Sequence, residues 1–326
     1  MSRQRAGARS YFAVQAVAGA VWWLTVFTVP WVRDATLGGL DPVVTAVLDV
    51  PLFVIASALA AVGLRWAVVV ATGWTVLVAV ALAGYATVTG LAGLGVLAMV
   101  PAAAGSVLAA CLLLVGRVPT EWLVRGPFAF RPAPVRPGAG AARNVLTTFG
   151  QIVVFWGVCL VVVPLVLAAL EERWRVAPAL PAPAVAVVVA AGAVLLVLAS
   201  ALGIWSAVTM STLGDGTPLP SASTNRLVIA GPYRWVRNPM AIAGIAQGVA
   251  VGLLLSSWLV VVYALAGSLV WNYAIRPFEE ADLHERFGAD FDRYRRAVRC
   301  WLPRVPRAAR EPLPPATRSG APGTSR

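Results

Sequence analysis

The sequence predicts an all-α, polytopic (multi-pass) integral membrane protein with about eight transmembrane helices. Hydrophobic residues make up 59% of the 326 residues and charged residues only 12%, whereas soluble domains carry about 25% charged residues. Long uncharged runs alternate with loops that contain arginine, and the sequence has no lysine. A helix needs about 20 apolar residues to cross the hydrocarbon core, so the chain is predicted to cross a bilayer repeatedly.

Eight apolar runs are candidates for these spans. In chain order they are Tyr11–Trp31, Val43–Leu64, Trp66–Val88, Leu91–Val115, Val145–Leu170, Ala184–Ala207, Met240–Leu255 and Trp258–Ile275. The seventh is short and joins the eighth through Ser256 and Ser257, so these two are predicted to form a tight hairpin. Gly244, Gly248 and Gly252 repeat every four residues in the seventh run, a spacing typical of close helix packing in lipid.

The arginines predict the orientation in the membrane. If the N-terminus is cytoplasmic, 23 of the 26 arginines lie inside, and only Arg33, Arg173 and Arg175 lie outside. The positive-inside rule requires such an excess, so both termini are predicted to be cytoplasmic, with the cell membrane as the location. The net charge of +12 therefore belongs to loops beside apolar spans, which argues against a nucleic-acid partner.

Composition divides the chain into four parts. Residues 1–116 form a four-helix membrane region to which the sequence assigns no role. Residues 117–144 form a cytoplasmic linker, because a segment so rich in proline and arginine does not sustain a helix. Residues 145–304 form a second membrane domain, and residues 305–326 are predicted to be a disordered tail.

The first membrane region offers little recognisable chemistry. Asp49 lies inside the second span, where an ionisable residue is a functional candidate. The favoured interpretation is a snorkelling or helix-capping residue near the extracellular interface, since Asp41 and Pro42 are only a turn or two away. In the whole chain, the single histidine, His284, and three cysteines without CxxC spacing predict no metal site and no disulfide framework.

The densest cluster of glycine, proline, aromatic and arginine residues runs from Gly231 to Met240, just before the seventh span. Gly231 allows a close approach of the backbone to a ligand, and Tyr233 offers an aromatic face. Pro239 is suited to open a helix whose free N–H groups would face an anionic group. A basic turn that anchors at the lipid headgroups explains the same residues equally well.

A second polar cluster follows the eighth span. Asn272, Arg276 and Glu280 share a spacing of four, so they can lie on one helix face. Pro277 is expected to bend the chain out of the membrane and to start a new helix with Glu279 and Glu280 in its first turn, where the helix dipole favours acids. The carboxylates beside Arg276 could hold a cationic or hydroxyl-bearing ligand, or form only a cap and an interfacial salt bridge. We interpret the two clusters as walls of one polar pocket at a membrane face.

An aromatic stripe follows the second cluster. Phe287, Phe291, Tyr294 and Val298 repeat at helical spacing, which predicts an amphipathic helix lying on the membrane or on the preceding loop. Gly288 is expected to divide this segment into two short helices.

Taken together, these residues resemble the C-terminal signature of the isoprenylcysteine carboxyl methyltransferase family, which is similar to the phospholipid methyltransferases. The matching positions are Gly231, Pro232, Tyr233, Arg234, Arg237, Asn238, Pro239, Glu279, Glu280, Leu283, Phe287, Gly288, Tyr294, Trp301, Leu302 and Pro303. The resemblance covers roughly Val145 to Arg304 and leaves the first four spans unmatched. Asn238 stands where the family usually has histidine, which keeps hydrogen bonding but loses a titratable group.

The resemblance implies an integral membrane enzyme that transfers a methyl group from S-adenosyl-L-methionine to a lipophilic acceptor, either an isoprenylcysteine-type carboxylate or a lipid-like small molecule. It implies a cofactor pocket at the cytoplasmic face lined by Gly231, Tyr233, Arg237, Asn238, Pro239, Glu279 and Glu280. It assigns Arg276 and Glu280 to the catalytic position nearest the acceptor. Two alternatives stay open: a membrane reductase of the sterol-reductase type that uses NADPH, and a non-catalytic membrane scaffold.

Overall fold

The structure is a computed structural model, and it describes residues 3–122, 141–215 and 224–303. The predicted linker at 117–144 lies largely outside the described residues. The predicted tail at 305–326 lies entirely outside them.

Seven helices of the described chain are long and apolar enough to cross a membrane. A further apolar helix, Pro239–Leu254, has only 16 residues, in agreement with the short seventh span. These helices confirm the predicted all-α polytopic membrane fold. The described chain forms two compact units, of which the first contains residues 3–119 and 169–177 and the second contains the remaining residues.

The first unit is a helical bundle with a small polar network in its core. Its helices are α1 (Arg3–Thr28), α2 (Pro30–Leu37), α3 (Pro42–Val62), α4 (Arg65–Thr89) and α5 (Gly93–Val115). Phe12 of α1 is fully buried against small residues of α3 and α4. Gln15 donates hydrogen bonds to Ser57 and Thr75 and accepts one from Ser106. Such side-chain hydrogen bonds contribute to helix association in lipid.

Asp49 of α3 is neither a snorkelling nor a capping residue, so the interpretation favoured from the sequence is wrong. It is only 7% exposed, and its carboxylate accepts hydrogen bonds from the indole N–H groups of Trp23 at 2.8 Å and Trp74 at 2.7 Å. Asp41 is the cap instead, because its side chain accepts from two backbone N–H groups at the start of α3. Eight residues of helix carry Asp49 about 12 Å along the axis from that cap.

The second unit contains two helices interrupted by π turns and the hairpin α9–α10, whose second arm belongs to one of these helices. Its helices are α6 (Ala141–Gly157), α7 (Val163–Arg173, which enters the first unit at residue 169), α8 (Ala182–Leu213), α9 (Pro239–Leu254), α10 (Trp258–Val270) and α11 (Arg276–Ala297). The π turns Val158–Val162 and Trp271–Ile275 join α6 to α7 and α10 to α11. Each lies just before a proline, Pro164 or Pro277, whose missing N–H removes one helical hydrogen bond. Pro277 therefore widens one turn and does not break the helix.

The helical run Trp258–Ala297 has 40 residues, and the part before the kink at Gly288 alone corresponds to about 45 Å. The hydrocarbon core is only about 30 Å thick, so the polar helix α11 extends beyond it. Gly288 has φ 49° and ψ −123°, and it divides α11 as predicted. The predicted aromatic stripe of α11 packs on Leu227 of the preceding loop, and Phe291 is fully buried there.

The glycine stripe of α9 is a packing feature, as predicted. A Cβ atom placed on Gly248 would lie 2.8 Å from the Cβ atom of Ala264, and one on Gly252 would lie 2.9 Å from the backbone nitrogen of Val261. A Cβ atom on Gly244 would lie 2.1 Å from the ring of Trp156. The three glycines thus let α9 approach α10 and α6 more closely than any larger residue allows.

Replacing Gly252 with alanine is expected to destabilise the hairpin by about 1–3 kcal/mol, because the new methyl group meets backbone that moves only with the helix. Thermal unfolding of the detergent-solubilised protein measures this change as a lower melting temperature. Gly150→Ala on α6 is the matched control, since a Cβ atom there meets nothing within 4 Å. Equal melting temperatures for the two variants would contradict the packing role.

Candidate active site

The α9–α10 hairpin returns the chain to the end at which α9 began, so the two predicted polar clusters meet. The turn Gly231–Arg234, a 3-10 helix, precedes α9, and α11 follows α10. The hydroxyl of Tyr294 on α11 donates a 2.7 Å hydrogen bond to the carbonyl oxygen of Tyr233. The backbone N–H of Arg237 donates to the carbonyl oxygen of Arg299, which follows α11. These contacts fix the turn against α11.

An ion pair at the centre of this contact joins the two clusters directly. The Nη1 atom of Arg237 lies 3.0 Å from Oε1 of Glu280. Arg276 lies 3.9 Å from the same oxygen, and Arg295 lies 3.7 Å from Oε2. Both partners of the central pair are largely buried, with side-chain exposures of 13% and 21%. Glu280 is therefore surrounded by positive charge.

The neighbouring carboxylate, Glu279, has a different environment. Its Oε2 atom is buried and has no hydrogen-bond partner among the described residues. Burial raises the pKa of Glu279 to about 7, helped by the nearby charges of Glu280 and Asp282 and opposed by Arg237 and Arg276. A buried acceptor left without a donor costs free energy unless a ligand or water satisfies it. This oxygen is accordingly a candidate contact for a ligand.

Both carboxylates line a cavity of about 520 Å³ within the second unit. Its polar lining residues include Thr224, Arg226, Tyr233, Arg237, Asn238, Glu279, Glu280, Asp282 and Arg286. Its apolar lining residues include Trp156, Leu160, Ile245, Gly248, Ala264 and Gly267. Gly248 is nine residues into α9, so the cavity extends about 14 Å from the helix start into the membrane-spanning part.

The cavity brings together five of the residues predicted for the site: Tyr233, Arg237, Asn238, Glu279 and Glu280. Arg276 is not among the lining residues but contacts Glu280. Gly231 does not line the cavity either. It has φ +51°, and a Cβ atom there would lie 2.8 Å from Oγ1 of Thr209 on α8.

Gly231 thus lets the turn pack on α8. Pro239 is the first residue of α9, as predicted, and it is buried but absent from the cavity lining.

Other polar residues of the cavity were not recognised from the sequence. Arg286 pairs with Asp282 at 2.6 Å and donates to the carbonyl oxygen of Thr224 at 2.6 Å. Arg226 pairs with Asp215 at 2.9 Å. The spacing of four between Asp282 and Arg286 is a helix ion-pair signal that could have predicted their contact, whereas nothing local indicates that they face the cavity.

The indole nitrogen of Trp271 is another buried atom without a hydrogen-bond partner among the described residues, and Trp271 lines the cavity.

Comparison with known proteins matches most of the region that lines this cavity. Residues 187–290 match the model of the phospholipid methyltransferase family. The matched region, about a third of the chain, includes the turn before α9, the whole hairpin and both glutamates of α11. It confirms the suspected resemblance for the C-terminal half. No curated protein and no solved structure matches the chain significantly.

Replacing Tyr294 with phenylalanine is expected to destabilise the protein by about 1–3 kcal/mol, because the buried carbonyl oxygen of Tyr233 would lose its hydrogen bond. Tyr273→Phe is the control, since Tyr273 is 72% exposed. Thermal unfolding of both variants measures the difference. A Tyr294→Phe protein as stable as the control would show that the bond does not hold the turn on α11.

Proposed function

We propose that the protein is an integral membrane methyltransferase that uses S-adenosyl-L-methionine and acts on a lipophilic acceptor. The observation that carries this proposal is the cavity of the second unit, which joins a charged region at the helix ends to an apolar region between α6, α9 and α10. A water-soluble cofactor and a membrane-soluble acceptor need such a combination. The family match at residues 187–290 supports the reaction class.

The charged residues suit a zwitterionic cofactor with an additional positive charge. S-adenosyl-L-methionine carries an amino group, a carboxylate and a sulfonium, and when bound it supplies an activated methyl group. The unpaired Oε2 atom of Glu279 can accept a hydrogen bond from a cationic ligand group. The indole N–H of Trp271 can donate to a ligand acceptor.

NADPH fits this residue set less well. Its phosphates need several available cations, but each arginine of the cavity lining is already engaged by a carboxylate. Arg226 pairs with Asp215, Arg237 with Glu280, and Arg286 with Asp282. This pairing argues against the reductase alternative.

We assign two kinds of role to the site residues. The residues that bind the cofactor directly are Tyr233, Arg237, Asn238 and Glu279. Gly231 and Pro239 act indirectly, because they shape the backbone of the turn that carries the first three of these residues.

Arg276 and Glu280 lie nearest the acceptor in this proposal, and Arg237 and Arg276 hold the Glu280 carboxylate in place. The protein accelerates methyl transfer mainly by holding the reactants in the geometry of attack, since alignment alone lowers a barrier substantially.

The acceptor enters from the bilayer, and the cofactor enters from the cytoplasm. The apolar lining between α6, α9 and α10 suits a hydrocarbon chain, whether it belongs to an isoprenylcysteine-type carboxylate or to a lipid-like small molecule. The arginine distribution supports a cytoplasmic location of the site and of both termini, and we propose the cell membrane as the compartment.

Binding of S-adenosylhomocysteine to the solubilised protein, measured by isothermal titration, tests this function. We expect Glu280→Gln and Arg237→Ala each to weaken binding at least about tenfold, because each removes the largely buried ion pair that joins the two clusters. Glu285→Gln on the exposed face of α11 is the matched control. Binding of NADPH alone would favour the reductase, and binding of neither ligand would favour the scaffold.

The affinity for S-adenosylhomocysteine is also expected to depend on pH through Glu279. Its pKa of about 7 means that the carboxyl group is ionised at pH 8 and mostly neutral at pH 6. A ligand ammonium group favours the ionised form, so affinity is expected to fall about tenfold from pH 8 to pH 6. Titrations at both pH values measure the effect, and Glu279→Gln should abolish it. A pH dependence that persists in this variant would contradict the assignment.

A further inference from the structure

The first unit contains a second cavity, of about 790 Å³, that the proposed methyltransferase site does not use. Most of its lining is apolar or aromatic. Val14, Val44 and Leu48 line the cavity and are also more than half exposed on the apolar surface of the unit. The cavity is therefore accessible from the side on which lipid chains lie, and a lipophilic molecule can enter it without crossing a polar layer.

Asp49 is the acidic residue that lines this cavity. Its two oxygens accept one indole N–H each, from Trp74 and Trp23. Neither partner carries a charge, and Asp49 forms no ion pair within the described residues. A buried carboxylate without a positive partner costs several kcal/mol. The indole donors fix its orientation and leave further lone pairs free to accept from a ligand.

Aromatic side chains surround the same space. Trp22, Phe53, Trp74 and Tyr85 all line the cavity. The face of an aromatic ring attracts a cation, most strongly where water is excluded. A carboxylate fixed by two indole groups, in a cavity lined by aromatic rings, is a combination suited to an organic cation.

We propose that the cavity of the first unit binds a lipophilic organic cation, such as an ammonium group carried on an apolar body, with Asp49 as its counter-ion. The cation supplies the positive charge that the protein lacks at this position. The apolar lining holds the remainder of the ligand. The proposal concerns the first unit alone and does not rest on the proposed methyltransferase function.

Binding of radiolabelled tetraphenylphosphonium to the full-length protein in micelles of the uncharged detergent dodecyl maltoside tests this site. We expect saturable binding that unlabelled tetraphenylphosphonium displaces and the neutral compound triphenylphosphine oxide does not. Asp49→Asn preserves the shape of the side chain and removes its charge, so it should weaken binding at least about tenfold. Asp34→Asn is the control, because Asp34 is an exposed carboxylate of the same unit paired with Arg33.

The comparison of the cation with the neutral compound uses the unaltered protein, so it decides the question even if Asp49→Asn does not fold. Equal displacement by the two compounds, absence of saturable binding, or wild-type affinity of Asp49→Asn would overturn the proposal and leave Asp49 as a structural link between helices. Phosphatidylethanolamine and phosphatidylcholine added to the micelles identify the source of the ligand. Weaker binding of the probe in their presence indicates that a lipid headgroup occupies the site, and unchanged binding indicates a free amine.

Discussion

The ion pair between Arg237 and Glu280 is the contact on which the geometry of the second unit depends. The two residues are 43 positions apart, and they meet because the α9–α10 hairpin returns the chain to one membrane face. A largely buried ion pair adds little net stability, since desolvation offsets much of the attraction. The ion pair instead fixes the position of the two clusters, because only one register of the hairpin brings both partners together.

Because of this ion pair, the adjacent residues Glu279 and Glu280 have different electrostatic environments. Glu280 lies near three arginines, Arg237, Arg276 and Arg295. Glu279, one residue away on the same helix turn, forms no ion pair within the described residues and keeps one buried oxygen unsatisfied. The paired carboxylate stabilises the junction of the two walls, and the unpaired one remains available to a ligand. A pair of acids that looks equivalent in sequence is divided by the positions of the surrounding arginines.

The sequence predicted what depends on composition and on regular spacing. Apolar runs predicted the spans, and the spacing of four predicted the packing role of Gly248 and Gly252. The two motifs predicted five of the residues that line the cavity. What failed required three-dimensional information. The position of Asp49 between two tryptophans depends on contacts of α3 with other helices, and the contribution of Asp282 and Arg286 depends on which side of α11 faces the cavity. Pro277 stands in the first turn of α11 together with Glu279, as predicted, but the sequence did not indicate that a π turn would join α11 to α10 without a break.

Position 238 carries asparagine where the suspected family usually has histidine, and this asparagine takes part in a set of contacts at the edge of the cavity. The side-chain nitrogen of Asn238 lies 3.5 Å from the sulfur of Cys300, and the indole N–H of Trp301 donates to Asn272. Together with the backbone bond from Arg237 to Arg299, these contacts hold the segment after α11 against both walls of the cavity. An amide does not titrate, so the Asn238 side chain keeps the same charge across physiological pH. Burial raises the pKa of Glu279 to about 7, and this residue lies inside the cavity and not among the contacts that hold the segment after α11.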